Sequence, residues 1–335
     1  FPSGWISISK YKTVHYDSEL TCDIHVKTHY THLKKYETSE IGPIRICAFD
    51  IECNSSHCDF PLAIKTYQKF ARDLHVALVK SEYDEYEDET KEEILEYVCA
   101  HVFDMDNVEI DKEFCKEIGL ELDNIGKVYT KYQKKPSDKK VKKVIKELIK
   151  CIEIPSVSLG VRDKAELNNK VITKVTKICD RNFPKIEGDE VVQIASTIID
   201  YGDEICCKKQ LITLGKCSDI QCSDIEVIQC KTETEVLLSW RKLILEMDPD
   251  IITGYNTYGF DTPFLYDRSV ELGIDSIFTK LGRYRERESK IKTKRLSSAA
   301  LGDNIWRELQ ITGRIQIDIM RVVQRDYNLT SWSLD

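Results

Sequence analysis

Ile44-Arg45-Ile46-Cys47-Ala48-Phe49-Asp50-Ile51-Glu52-Cys53 is the stretch that decides the fold. It follows Gly42-Pro43, a turn signal, and is mostly apolar. That composition predicts a strand buried on both faces of a sheet. Two acids close it, and a sheet interior gives an acid no partner by default.

Working outward, the same texture returns after residue 190. Glu190 to Asp200, Lys209 to Leu214 and Ile225 to Cys230 read as three more strands. Thr232-Glu233-Thr234-Glu235 is a capping box, opening a helix through Val236, Leu237, Trp240, Leu243, Ile244 and Met247. Asp248-Pro249-Asp250 ends it. Ile251 to Tyr255 is a short strand, and another helix starts near Thr262-Pro263. Upstream, Trp5 to Ile8 and Cys22 to Val26 alternate like strands. Strands followed by strand-helix alternation imply the α/β class: a mixed sheet with helices packed on its faces.

Residues from about 56 to 187 differ. Glu82 to Glu93 is crowded with acids, and Lys134 to Lys150 with lysines. Within the second run Val141, Val144, Ile145, Leu148, Ile149 and Ile152 recur at helical spacing, predicting an amphipathic helix with a lysine-rich outer face. Both charge runs read as solvated helix surface.

The bulk properties bound the rest. The 335 residues carry a formal net charge of -8, and 41% are hydrophobic, which is ordinary for a globular chain with a sizeable core. No stretch approaches the roughly 18 to 20 apolar residues of a membrane span. The start has neither an initiator Met nor a signal-peptide layout, so the expectation is a piece of a longer, non-secreted protein. Thirteen cysteines without a Cys-x-x-Cys pair read as reduced thiols, not a zinc site. Cys53, His57 and Cys58 lie close in sequence and read as a strand end and loop.

Asp50 and Glu52 sit two apart on a strand, so both point to one face. A divalent cation would neutralise them, since hard cations prefer oxygen ligands. Asp261 follows a strand and tight turn at a helix start. It is either a helix N-cap or a third carboxylate for the same metal site.

Phe49-Asp50-Ile51-Glu52 resembles the first exonuclease motif of family B DNA polymerases, and Asn256-Thr257-Tyr258-Gly259-Phe260-Asp261 resembles the second. Met247 to Asn256, Gly313 to Asp318 and Asp189 to Ile194 are similar to the delta branch of that family. The resemblance implies a ribonuclease H-like α/β fold, with residues 1–43 the tail of a polymerase N-terminal domain. It makes 44–335 an incomplete 3′→5′ proofreading exonuclease domain, interrupted by a largely helical insertion at 56–187 of the kind large DNA viruses carry. It also implies two Mg²⁺ ions, replaceable by Mn²⁺, on Asp50, Glu52 and Asp261. Asn256, Phe260 and Tyr255 would contact the primer 3′ end, although Phe260 reads equally well as core. DNA primer-template is the implied partner, with a sliding clamp or other replication proteins, in a nucleus or a cytoplasmic viral factory.

The family's third motif, a Tyr with an Asp four residues on, is not found. Tyr327 is followed at that distance by Ser331. The expectation is that the 335-residue piece alone has little exonuclease and no polymerase activity. The basic stretch Arg283, Arg285, Arg287, Lys290, Lys292, Lys294 and Arg295 is either a template-phosphate contact or a surface loop. A stand-alone exonuclease of the same fold and a non-catalytic binding module are the rival readings.

Overall fold

The computed structural model describes residues 4–14, 21, 24–55, 59–152, 161–218, 220, 222–298, 302–327 and 329–334, the side chains of 296–298 and 302–304 excepted. These fall into two compact units. The first comprises residues 1–55, 60–63 and 189–335, and the second 56–59 and 64–188.

The deciding stretch forms β5 (Arg45–Cys53), after short pairs made by β1 (Ile6–Ile8) with β4 (Leu33–Lys35) and β2 (Lys12–Thr13) with β3 (Val26–Lys27). The second unit holds α1 (Gln68–Lys80), α2 (Asp88–Phe103), α3 (Lys112–Glu117), α4 (Asp138–Ile149) and α5 (Val161–Asn182). The chain then returns through β6 (Val191–Asp200), β7 (Lys208–Leu214), β8 (Ile225–Cys230) and α6 (Glu233–Met247). It continues with β9 (Ile251–Gly254), α7 (Asp261–Glu271), α8 (Asp275–Phe278) and the antiparallel hairpin β10 (Lys290–Ser298) with β11 (Gly302–Gln310). β12 (Ile315–Asp318) and α9 (Ile319–Asp326) complete the described elements.

The six-stranded sheet runs β12-β9-β5-β6-β7-β8. β5 is antiparallel to β6 and parallel to β9. Cys47, Phe49 and Ile51 are buried, while Asp50 and Glu52 are exposed. This corrects the expectation of a strand buried on both faces. The apolar run hides a period of two, and the acids occupy the open side.

Trp240 of α6 packs on Phe49, ring centroids 4.9 Å apart. The capping box forms as read, with Thr232 accepting from the Glu235 amide and Glu235 from the Thr232 amide. Asp248 ends α6 in the left-handed region at φ 46°.

Charge is buried in this unit. Arg268 is 1% exposed and pairs with Glu233 at 2.8 Å, and Glu233 also accepts the Val191 amide. Arg314 donates to Asp248, the Pro249 carbonyl and the Leu281 carbonyl at 2.7 to 2.8 Å. Arg283 reaches Asp248 and Asp250, and Asp250 accepts the Arg45 amide. The segments around 248–250 and 313–314 are thereby one network fixing the ends of β5, β9 and β12.

The second unit has its own apolar core, including Leu74, Leu78, Ile94, Val98, Val144, Leu148 and Val175. α4 buries Val141, Val144, Ile145 and Leu148, as its spacing predicts. Tyr67 fastens the ends of the unit, its amide donating to Asp180 and its hydroxyl to the Pro184 carbonyl. Among the described residues the cysteines are free thiols, and no helix is long and apolar enough to cross a membrane.

Candidate active site

β9 pairs with β5 only from Ile251 to Thr253, opposite Ile46 to Ala48. Past that point the two strands part, because the chain must turn toward α7. Gly254 permits the turn. A Cβ there would lie 2.5 Å from the Phe49 carbonyl oxygen and 2.6 Å from Thr257 Cγ2, so only glycine fits so close to a neighbouring backbone. Asn256 then takes the left-handed conformation at φ 59°, and its O accepts the amides of Gly259 and Phe260.

Where β9 leaves, the Ile51 amide loses a strand partner. Asp261, the first residue of α7 and 2% exposed, supplies one: its Oδ1 accepts Ile51 N at 3.1 Å. Asp261 is therefore not a cap on its own helix, and α7 begins with no side-chain cap. Burial, and next the Asp50 carboxylate hydrogen-bonded to it, push the Asp261 carboxyl up to about 7, against the lowering effect of two backbone amides. Two carboxylates are thus brought together at the fork between the strands, one exposed and one buried.

Glu52 shares the face of Asp50 and is exposed. Among the described residues no three His, Cys, Asp or Glu side chains converge closely enough to hold one ion. The pair still fits a divalent cation. Two oxygen-donor groups in contact, one held in a dry position where its charge is disfavoured, are the arrangement a hard cation relieves. Burial pushes the Cys53 thiol up. His57 and Cys58 lie outside the described residues.

The other candidate residues line the turn. The Phe260 ring is half-buried against Phe60 and Phe264, at 5.2 and 5.3 Å. Tyr255 donates its hydroxyl to the Trp332 carbonyl at 2.6 Å. Tyr258 donates its own to the Gln316 carbonyl at 2.8 Å. In the basic stretch Arg283 is committed to Asp248 and Asp250 and Lys294 to Glu308, while Arg285 and Arg287 are exposed.

Asp318 is the residue the sequence reading misses. Only 2% exposed, it accepts Asn256 N at 2.9 Å and Tyr258 N at 3.1 Å, besides capping α9 through Met320 N. One buried carboxylate thus sets the backbone of the turn that carries Asn256. An Asp after Ile315-Gln316-Ile317 signals the helix cap locally. Its other partners are about sixty residues away in sequence and leave no local trace.

A mixed sheet whose central strand carries Asp-x-Glu, with a third acid at a helix start beside it, is the fold of a ribonuclease H-like exonuclease domain. The chain belongs to the family B DNA polymerases: the model of that family's exonuclease domain matches residues 1–120 and 174–335. It is 34% identical to a DNA polymerase of Pyramimonas orientalis virus over 346 aligned residues, covering 100% of this chain and 28% of that protein. It is 28% identical to a DNA polymerase of Phaeocystis pouchetii virus, again over 100% of this chain and over 37% of the viral protein. Against the DNA polymerase delta catalytic subunit of Dictyostelium discoideum, identity is 42% over 46% of this chain and 14% of that subunit. The chain spans only about a third of the viral relatives' length.

Proposed function

We propose that this chain carries most of the proofreading domain of a replicative DNA polymerase, which as a full-length protein removes nucleotides from the primer 3′ end. The observation that carries the proposal is the Asp261 carboxyl, seated on the Ile51 amide against Asp50. Asp50, Asp261 and, from the same face as Asp50, Glu52 would hold divalent cations, two Mg²⁺ with Mn²⁺ as substitute. Bound there, the cations would supply Lewis-acid stabilisation of the charge on the phosphoryl oxygens. Asn256 and Phe260, held on the Asp318-fixed turn, would position the unpaired 3′ end. Tyr255, its hydroxyl engaged by Trp332, would add the edge of its ring. A primer-template duplex is the substrate, a sliding clamp is a candidate partner, and the setting is a nucleus or a viral factory.

Residues 56–187 are proposed to interrupt an exonuclease domain that begins at 44. Two facts support this: the compact second unit falls within about the same bounds, and the segment left unmatched by the family model lies inside it.

In the full-length protein Asp50→Ala should reduce removal of a mispaired 3′ nucleotide by about a hundredfold or more and leave synthesis unchanged. Loss of both activities together would show the domain assignment to be wrong. Mn²⁺ titration followed by electron paramagnetic resonance should show binding that Asp261→Asn weakens.

A further inference from the structure

The second unit segregates its charge along the chain. Residues 82–123 hold seventeen acids against three lysines, and residues 127–150 hold ten lysines against two acids. In α4 the lysines are arranged. At 100° per residue, Lys139, Lys142, Lys143, Lys146 and, just past the helix end, Lys150 project within a stripe opposite the apolar one formed by Val141, Val144, Ile145 and Leu148. All five lysines are exposed. Lys143 is engaged by Glu147 and Asn182, whereas Lys139, Lys142, Lys146 and Lys150 have no hydrogen-bond or ion-pair partner among the described residues. The stripe spans roughly 16 Å at 1.5 Å per residue.

By itself such a run is a solvated face. A second feature changes its meaning. A few residues before α4, Tyr132 is 96% exposed and flanked in sequence by Lys131, Lys134 and Lys135, of which Lys135 is engaged by Asp106 and the Asp104 carbonyl. Its backbone stands in the left-handed region at φ 58°, ψ 26°, and Gln133 follows at φ 50°. Two successive non-glycine residues there are unfavourable, and a bulky side chain especially so. The segment is nevertheless tied down. Lys131 N donates to the Lys185 carbonyl, Glu187 N to the Tyr129 carbonyl, and the Thr130 hydroxyl to the Lys134 carbonyl. A strained and anchored loop therefore presents an aromatic ring to water at the head of a lysine stripe.

We propose that this loop and helix form a docking surface for single-stranded nucleic acid, with the lysines on the phosphate backbone and Tyr132 stacked on a base. The chemistry favours that occupant. Lysine is a flexible point charge suited to phosphates rather than to planar, bidentate recognition. A solvent-facing ring next in sequence to a lysine-bearing helix is the kind of stacking platform that single-strand binders use, and stacking needs an unpaired base. The proposal does not rest on the metal site, which is made of other residues.

The test uses the full-length protein in EDTA, which prevents hydrolysis, and a fluorescein-labelled oligothymidylate read by anisotropy across a salt series. The triple charge reversal Lys139→Glu, Lys142→Glu, Lys146→Glu should weaken binding and lower the slope of log K against log salt by about 2, at roughly 0.7 for each phosphate no longer neutralised. Tyr132→Ala should weaken it about tenfold at an unchanged slope and leave blunt duplex affinity unaltered. The corresponding triple Lys→Gln variant, checked by thermal unfolding, makes the same test should charge reversal unfold the unit. Unchanged affinity and slope in all variants would overturn the proposal. So would a loss confined to duplex, or one indifferent to Tyr132, which would give the stripe to a double helix or an acidic protein.

Discussion

The two units treat charge in opposite ways. In the sheet unit Asp189, Glu233, Asp261, Arg268, Arg314 and Asp318 are all buried. In the helical unit the described buried polar residues are His75, Ser81 and Thr130, and every described acid, lysine and arginine reaches solvent. Asp189 accepts the Leu62 amide, and the other buried charges of the first unit are met by the partners described above, which fix a strand end, a helix start or the turn after Gly254. The second unit folds on an apolar core and keeps its charges at the surface, where some pair with one another, as Arg181 does with Glu147, while Lys139, Lys142 and Lys146 of α4 do not. Buried charge therefore goes with a placed constellation, and surface charge with a docking face.

The units can be followed separately, since all four tryptophans (Trp5, Trp240, Trp306 and Trp332) lie in the first. The largest effect should come from Glu233→Ala, which strands the Arg268 guanidinium. A loss of about 3 to 5 kcal/mol is expected in the denaturant transition seen by tryptophan fluorescence. Replacing both partners by apolar residues of similar volume should recover most of it. Leu148→Ala, at a fully buried site of the helical unit, should cost about 3 kcal/mol in the transition seen by far-ultraviolet circular dichroism. An equal shift of the tryptophan signal would mean that the division into units is not one of stability. Asp318→Ala should cost about 2 kcal/mol, concentrated in faster exchange of the Asn256 and Tyr258 amides. Uniform loss of protection across the sheet would make Asp318 a general stabiliser instead. The smallest change is expected for Lys142→Ala, within about 0.5 kcal/mol of the parent. A larger loss would deny that the lysine face is held ready rather than built in.

Local features are legible in the sequence and distant ones are not. The Thr232–Glu235 box is read in one glance because cap and partner are three residues apart. β5, β6 and β9 announce themselves by composition, and Asp50, Glu52 and Asp261 by motif. The solvent exposure of Asp50 and Glu52 escapes a reading by composition, although the alternation of Cys47, Phe49 and Ile51 with Ala48, Asp50 and Glu52 carries it. In the helical unit α4 shows its apolar stripe beside its lysines, and α1 carries another at Phe70, Ala71, Leu74, Ala77 and Leu78. α2 is buried at Ile94, Leu95, Tyr97, Val98 and Cys99, too nearly continuous a run to show one face. The Asp318 hydrogen bonds, the Arg268–Glu233 pair and the left-handed Tyr132 depend on chain segments brought together by the fold, and no periodicity encodes them.

Gly254 has a genetic consequence. Every missense change that one base substitution can make in a glycine codon introduces a Cβ, and at this codon that atom would collide with the backbone of the strand bearing Asp50. Such a change would fall in the candidate active site. On the proposed function, a lineage carrying it would go on copying its genome and be recognised by its rising load of uncorrected mispairs.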